Sequence, residues 1–465
     1  MSPKHPVKPI LIGFLSLATL LAAGCSNMSN PLPASSDTAT GQAFVVGTDA
    51  PAANVVSFTV QIESVDATSS SGTSVPLISG SPTVDFARYN GLQTLLDLND
   101  VPVGTYNSIT ITLSSTATIG YLDTSSGGAP TIQTQTETVS PASVTVTLNN
   151  PLTIAKSVSM GLRVDFDLNK SITENSSGQI STTVDPTFNV SVVKPSDQGG
   201  YIDEYVGGVV SVNATGQSFV LQGPHGEQLT VNVNGQTEWD NSETISDLTT
   251  SSIVQVSGTI DNADQTFDAD EVAILSQDGF YARGQITYVT PATGAATSFD
   301  LYVRGLLPTD TGLTLGQIAT VDLSGSEKYF IYWMHNPISQ FLFNSSALTA
   351  GQDVSIGGPA SGAASASAVT TKRIVLRHWG FNGTVVAGSV DSSQGTFQMN
   401  ITGFAGVLVP TPVTVYVGDH CSYRFGFGQF TDITAGANVR VVGLLLKNPT
   451  NGQLVLLAHY VDSMS

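Results

Sequence analysis

The sequence predicts an all-β protein made of several small β domains in series. Only 11% of the 465 residues are charged, 45 are Gly, and Ser and Thr are abundant. This composition favours strands and turns over solvated helices. Short segments of alternating apolar and polar residues recur between turn residues, as expected for strands with one buried face. No long amphipathic helix is visible, and the length suits about three or four domains.

One strand pattern occurs three times with identical offsets. An apolar residue is followed six positions later by an alternating apolar pair and then by a glycine. The copies are Leu248, Val254, Val256, Gly258; Leu348, Val354, Ile356, Gly358; and Ile433, Val439, Val441, Gly443. The spacing is too long for a solenoid, so it predicts serial domains. The apolar pairs should be buried, and the intervening residues should point away from the core and tolerate substitution: Gln255, Ser355 and Arg440.

The first 42 residues have the pattern of an export segment and a tether. Lys4 and Lys8 precede the apolar run Ile10–Ala23, and Leu21 to Cys25 resembles the lipobox of bacterial lipoproteins. Residues 1–25 are therefore predicted to be a signal peptide, with Cys25 acylated by fatty acids such as palmitate. An ordinary cleaved signal peptide is the alternative. Residues 26–42 are predicted to be a flexible tether.

The resemblance to bacterial lipoproteins also implies a location. Such proteins are typically retained in the inner membrane by an Asp after the acylated Cys, and here that residue is Ser26. The expected location is therefore the outer membrane, with membrane contact through the N-terminal lipid and the domains facing either the periplasm or the exterior. After acylation Cys421 would be the only free thiol, and it is expected to be buried and inert.

Residues 43–195 alternate like a β-sandwich. Three segments appear in order: GTDAP at 47–51, VPVGTY at 101–106 and VDFDL at 164–168. They resemble an uncharacterised domain family of bacterial lipoproteins, which is itself similar to immunoglobulin-like or transthyretin-like sandwiches. The resemblance implies this architecture and no activity.

The breaker-rich stretch 195–200 precedes three predicted units at 201–278, 280–378 and 380–465. They open with Gly-x-Val or Gly-x-Ile strands at Gly208, Gly284 and Gly383. The units resemble a second uncharacterised family of exported β domains, which implies small barrels of the oligonucleotide-binding type. The predicted fold is thus a sandwich followed by three small barrels. Independent domains would confine the damage of a core substitution such as Val256→Asp to its own unit.

The charge distribution limits the partners. The formal net charge of −20 argues against nucleic acid, because such contacts depend on Lys and Arg. Between Pro195 and Asp278 there are fourteen acidic residues and no Lys or Arg.

Two acidic pairs are weak candidates for a metal site or for catalysis. Asp165 and Asp167 share one strand face, as a carboxylate site requires, but they are equally explained as surface aspartates beside Arg163 or Lys170. Asp261 and Asp264 lie in a dense acidic cluster that lacks calcium-loop spacing, and a hairpin turn explains them without an ion. The histidines are never at zinc-ligand spacing, so no metal and no cofactor is predicted.

Several aromatic residues in the last two units are candidates for ligand binding. Rings beside hydroxyl-rich loops are how β modules hold sugars, although burial between units explains them as well. The candidates are Tyr329, Tyr332, Trp333, Trp379 and Tyr423.

No catalytic motif is found, so the sequence predicts a lipid-anchored envelope lipoprotein with a non-catalytic role in binding, adhesion or structure. Glycans or other envelope proteins are the expected partners. The alternatives are a polysaccharide hydrolase that uses Asp carboxylates and a passive spacer for an envelope complex.

Overall fold

The fold is nearly all β. A computed structural model describes residues 39–464, except 51, 53, 124–130, 175–178, 225, 262–265, 278, 333–340 and 449, and the side chains of 50 and 241. Strands make up 59% and helices 7% of the structure, which confirms the all-β prediction. Residues 39–465 form one compact unit. Within the described residues, no helix has the length and hydropathy needed to cross a membrane.

The N-terminal part is a β-sandwich. Its strands are β1 (Thr40–Ala50), β2 (Val55–Ser69), β3 (Ser74–Pro76), β4 (Thr83–Asp85), β5 (Thr94–Pro102), β6 (Gly104–Asp123), β7 (Thr131–Val139), β8 (Ser143–Ile154), β9 (Met160–Asp167), β10 (Thr183–Val184) and β11 (Phe188–Val193). The order β11-β9-β1-β5 forms one sheet, and β10-β7-β6-β2-β3 forms the other, in which β4 pairs with β2 and β8 with β6. Phe58, Phe86 and Phe188 pack on the ring of Phe166, the central residue of the DFD segment. A short helix, α1 (Leu168–Ser171), follows β9.

The next part continues the first sandwich sheet. Its strands are β12 (Ile202–Asn213), β13 (Ser218–Gln222), β14 (Gln228–Asn232), β15 (Glu238–Trp239), β16 (Ile253–Ile260) and β17 (Phe267–Ser276). Strand β12 meets β5 in parallel at Glu204 and Thr94, so ten strands belong to one sheet. No break in this sheet separates the sandwich from the part that follows it.

The last two parts have their own sheets. The third part has β18 (Gly279–Thr290), β19 (Ser298–Leu307), β20 (Ile318–Asp322), β21 (Lys328–Ile331), β22 (Asp353–Pro359), β23 (Val369–Thr370) and β24 (Arg373–Arg377). The fourth has β25 (Trp379–Val385), β26 (Thr396–Ile401), β27 (Val413–Arg424), β28 (Asn438–Lys447) and β29 (Leu454–Ser463), with the helix α2 (Gly403–Leu408) before β27. The third part is a seven-stranded sheet, and the fourth is a closed barrel in the order β25-β26-β27-β29-β28.

The three copies of the repeated strand are β16, β22 and β28, and each pairs antiparallel with the first strand of its own part. In the register, Gly207 lies opposite Val254, Gly284 opposite Val354 and Gly383 opposite Val439. The equivalent glycine in the first copy is therefore Gly207 rather than Gly208. Each alternating apolar pair is fully buried, as predicted. The division into separate domains at the predicted boundaries stays a prediction.

The intervening residues point away from the apolar pairs, as predicted, but they are buried as well, which argues against the predicted tolerance of substitution. Gln255 and Ser355 are completely buried, and the Arg440 side chain is only 12% exposed. A strand pattern with period two identifies one buried face, but here other parts of the chain cover the second face as well. Gln255, for example, accepts a hydrogen bond from Arg377 and donates one to the Tyr332 hydroxyl.

Two of the three glycines of the repeated pattern stand where the backbones come close, and both lie inside their strands. A Cβ atom on Gly258 would lie 2.1 Å from the Asp268 carbonyl oxygen, and one on Gly443 would lie 2.2 Å from that of Leu457. Neither backbone atom can move away cheaply, so alanine should be costly at both positions.

Candidate functional site

All four parts of the chain converge on a short segment of the sandwich, which we call the hub segment (Arg88–Gln93). It contains an Asn-Gly turn, and Gly91 has a φ of +77°. A Cβ atom at Gly91 would lie 2.7 Å from Nε of Arg440, so glycine is needed for both conformation and space. The Asn90 amide donates to the Gly380 carbonyl, and Arg424 donates to the Gly91 carbonyl. The segment therefore joins the sandwich directly to the barrel.

All eight arginines of the sequence lie in buried or largely buried ion pairs. Each has a carboxylate oxygen within 4 Å, and no arginine side chain is more than 19% exposed. Several pairs join different parts, such as Arg304 with Asp85 and Arg373 with Glu243. A buried pair adds little net stability, but removing one partner leaves an uncompensated charge. The arginines therefore fix how the parts are joined.

Glu204 on β12 is the centre of this network. It is 4% exposed and accepts hydrogen bonds from Arg88 of the hub segment, at 3.0 Å, and from Arg283 on β18. Arg377 lies 3.9 Å away. Burial would raise the pKa of Glu204, but Arg283, Arg88 and Arg377 together lower it to about 2. Glu204 is therefore ionised throughout the physiological range and binds three parts of the chain to one another.

A second polar cluster lies beside Glu204 and is lined by residues from every part. It includes the parallel stacked rings of His378 and His459, whose centroids are 4.7 Å apart. The Tyr332 hydroxyl donates to Glu271 at 3.0 Å, and the Tyr460 hydroxyl donates to Asp203 at 2.9 Å. The cavity between them holds about 10 Å³, which is roughly the space of one water molecule. The pKa values of its carboxylates Asp203 and Glu271 are raised, but the cavity has no room for a substrate.

Asp203 gives this cluster a measurable pH dependence. Burial raises its pKa from 3.8 to about 6, against the lowering effects of Arg424, the Tyr460 hydroxyl and the Gln93 amide. Between these two pH values the folded chain holds a proton that the unfolded chain has lost, so stability falls as pH rises from about 4 to 6. The expected contribution is about 3 kcal/mol, since each pKa unit corresponds to about 1.4 kcal/mol. Urea unfolding at a series of pH values should show a smaller fall in the free energy of unfolding for Asp203→Asn than for the wild type.

A second variant tests the same assignment. Tyr460→Phe removes a hydrogen bond that lowers the Asp203 pKa, so the pH range of falling stability should extend above 6. Equal pH profiles for the wild type, Asp203→Asn and Tyr460→Phe would show that Asp203 is not the responsible group.

A cleft of about 630 Å³, which we call the junction cleft, opens between three parts of the chain. The sandwich contributes Asp85, Arg88 and Tyr89, and β12 contributes Glu204 and Tyr205. The third part supplies the remaining wall with Tyr281, the end of β19 (Arg304 to Leu307) and the following loop to Leu315. This volume lies in the usual range for small-molecule sites, which occur preferentially at domain junctions.

The structure does not assemble the aromatic candidates into one exposed surface. Tyr332 and Trp379 are 5% and 6% exposed, and Arg304 stacks 4.6 Å from the Trp379 ring. Tyr329 packs edge-on against Phe343, and Tyr423 packs partly buried on the barrel core. Trp333 lies outside the described residues. Tyr332 and Trp379 are therefore buried, whereas Tyr329 and Tyr423 are half-buried, and ligand binding by these rings stays a prediction.

The acidic candidates are bound to neighbours within the chain. Asp165 lies 3.4 Å from Arg163, and Asp167 lies 2.7 Å from Lys170 while also capping helix α1. Asp261 follows directly after β16, and β16 and β17 pair antiparallel as the predicted hairpin requires. Asp264 lies outside the described residues. Among the residues that the structure covers, no group of three or more His, Cys, Asp and Glu could hold a metal ion.

The structure describes one of the two cysteines for which the sequence makes a prediction. Cys25 lies outside the described residues. Cys421 is a free thiol of intermediate exposure, and its pKa is raised to about 12, chiefly by burial and also by Asp462. A thiol that stays protonated is a poor nucleophile, so the inert character predicted for Cys421 agrees with its surroundings.

Sequence reasoning missed the hub segment and the junction cleft. Tyr89, Tyr205 and Tyr281 are far apart in the chain and approach one another only through tertiary packing. Two features could have indicated them. Asn90-Gly91 is a strong turn dipeptide, and the base-free acidic stretch from 195 to 278 needed cationic partners from elsewhere.

Residues 40–183 match a family described as a domain of unknown function, DUF4382. The match runs from β1 to β10 and so covers most of the sandwich. It confirms that an uncharacterised domain occupies the N-terminal part of the chain. No curated protein matches this chain.

Proposed function

We propose that the protein is a lipid-anchored lipoprotein of the cell envelope with a non-catalytic binding role. The observation that carries this proposal is the junction cleft, whose walls come from three parts of the chain. Buried pairs between those parts, such as Arg88 with Glu204 and Arg304 with Asp85, hold the walls in place. A cleft held in this way needs little ordering when a ligand binds, which favours affinity.

The carboxylates support binding rather than catalysis. Asp165 and Asp167, the pair that a hydrolase would need, are already engaged by Arg163 and Lys170. Asp203 and Glu271, whose pKa values are raised, line a cavity with the space of about one water molecule. Glycans and other envelope proteins therefore remain the proposed partner classes.

Anchoring rests on Cys25, which follows the apolar run and its two lysines. Replacing Cys25 with Ser should abolish acylation and move the protein from the membrane fraction to the soluble fraction. The reason is that acyl chains supply about 0.8 kcal/mol per buried methylene. Membrane fractionation at high salt, with metabolic labelling by a fatty acid, measures both effects.

Cys421→Ser is the matched control for this experiment. It removes the other cysteine and should leave acylation and fractionation unchanged. If the Cys25→Ser protein stays with membranes at high salt, anchoring through Cys25 is incorrect.

A further inference from the structure

Three donors on the wall of the junction cleft lack an acceptor among the described residues. They are Nε of Arg88, Nη2 of Arg304 and the hydroxyl of Tyr281. The three residues are 9%, 3% and 2% exposed, so bulk solvent has little access to them. Buried donors without acceptors are rare because they lose water and gain nothing in exchange. Three of them on one cleft wall indicate that an acceptor comes from outside the chain.

The backbone brings these donors to one place. Strands β18 and β19 pair so that Tyr281 lies opposite Leu307 and Arg283 lies opposite Gly305. Gly305 has no side chain, and Nη1 of Arg88 lies 2.7 Å from the position that its Cβ atom would take. The Arg88 guanidinium therefore rests directly on the strand that carries Arg304 and faces Tyr281.

Two of the three donors belong to arginines within a buried group of charges. Arg88, Arg283, Arg304 and Arg377 pair there with Asp85, Glu204 and Asp353, and Glu227 also lines the cleft. These ion pairs leave Nε of Arg88 and Nη2 of Arg304 without an acceptor among the described residues. A carboxylate has acceptor positions enough for two guanidinium groups and a phenol.

The rest of the cleft wall is mixed. Beside polar residues such as Thr309, Thr311 and Glu227 it carries aliphatic side chains from three parts of the chain, among them Leu95, Leu96, Val206, Leu306, Leu313 and Leu315. Aliphatic side chains beside a few convergent donors suit a ligand with an apolar body and one polar end.

We infer that the junction cleft binds a small amphipathic monocarboxylate, with its carboxylate on Arg88, Arg304 and Tyr281 and its aliphatic body against the leucines. This inference rests on the proposed binding function and names the ligand class. No bond is made or broken in the chain.

Calorimetric titration of the full-length Cys25→Ser protein with sodium decanoate tests the inference. The serine variant is chosen so that no attached acyl chain competes with the probe. Decanoate should bind with a stoichiometry of one. Acetate, which lacks the aliphatic body, and 1-decanol, which lacks the carboxylate, should each bind at least about tenfold more weakly.

Two tyrosine variants test the site itself. Tyr281→Phe removes a hydroxyl that has no partner in the described chain, so it should weaken decanoate binding about tenfold without lowering the melting temperature. Tyr106→Phe is the matched control outside the cleft. Its hydroxyl donates to the Pro102 carbonyl at 2.7 Å, so the change removes a buried tyrosine hydroxyl elsewhere and decanoate affinity should stay within about twofold.

The inference is overturned if decanoate and 1-decanol bind equally well, or if Tyr281→Phe binds decanoate as tightly as the parent protein. A panel of neutral oligosaccharides separates this failure from that of the proposed function. Binding of an oligosaccharide without decanoate would overturn the ligand class and leave the binding role standing. Binding of neither would overturn both.

Discussion

Replacing Glu204 with Gln is expected to lower the free energy of unfolding by about 3 to 5 kcal/mol. The substitution keeps the shape of the side chain but removes the negative charge shared by Arg88 and Arg283, with Arg377 close by. Those guanidinium groups are almost fully buried and cannot turn to water. Urea unfolding of the purified protein measures the loss.

The matched control is Glu63→Gln, the same change at an exposed position of strand β2. It should alter stability by less than about 0.5 kcal/mol. In a double-mutant cycle, Glu204→Gln combined with Arg88→Met should cost less than the sum of the two single changes, because each removes the partner of the other. A loss below about 1 kcal/mol for Glu204→Gln would show that Glu204 does not hold the parts together.

Acid should reproduce the effect of this substitution. The pKa of Glu204 is lowered from 4.5 to about 2, so its stabilising contribution is complete above about pH 4.5 and is lost as pH falls towards 2. Glu204→Gln should therefore lose less stability than the wild type over that range. This change runs opposite to the one expected for Asp203, and the two can be measured separately.

The sequence alone supports the class of fold and the burial of the repeated strands, because both follow from local periodicity. Val256, Ile356 and Val441 lie in the core as their alternation predicts. The register is also similar in the three copies, although Gly207 rather than Gly208 takes the glycine position in the first. A period of two reports only one face, however, so it gives no indication that Gln255 and Ser355 on the other face are buried too.

The ion network could not be derived from the sequence, because its partners are far apart in the chain. Arg304 and Asp85 are separated by 219 residues, and Arg88 and Glu204 by 116. Only the imbalance of charge was visible beforehand. The acidic stretch without Lys or Arg supplies Glu204 and Glu243, and the arginines that pair with them come from outside the stretch.

The candidate site shows a similar limit. Aromatic residues that lie close together in the sequence, such as Tyr329 and Tyr332, are easy to recognise as a group, yet Tyr332 is buried and Tyr329 is half-buried. The tyrosines of the junction cleft stand alone in the sequence, in segments that resemble ordinary strands. Their proximity follows from how β5, β12, β18 and β19 come together, which no local pattern encodes.

Replacing Val256 with Asp is expected to cost about 4 kcal/mol or more and to unfold the part that contains β12 to β17. Val256 is fully buried in the core formed with Phe219, Val231 and Ile274. A carboxylate there loses water without gaining a partner. Circular dichroism during urea unfolding should show a lower midpoint or no folded baseline at all.

Val210→Asp is the matched control for this substitution. Val210 lies on strand β12 of the same part but is 40% exposed, so its carboxylate stays in water. The change should cost less than about 1 kcal/mol. An equal loss in both variants would indicate a general effect of a charged residue on these strands and not burial in the core.

The same Val256→Asp variant decides whether the parts unfold independently. Strand β12 shares a sheet with β5 of the sandwich, and Glu204 on β12 is the buried partner of Arg88 and Arg283. Unfolding of this part would leave those two arginines without their shared carboxylate, so we expect the sandwich and the third part to lose protease resistance with it. Limited proteolysis followed by mass spectrometry identifies any surviving fragments. A sandwich that stays resistant in this variant would instead support serial domains that fold independently.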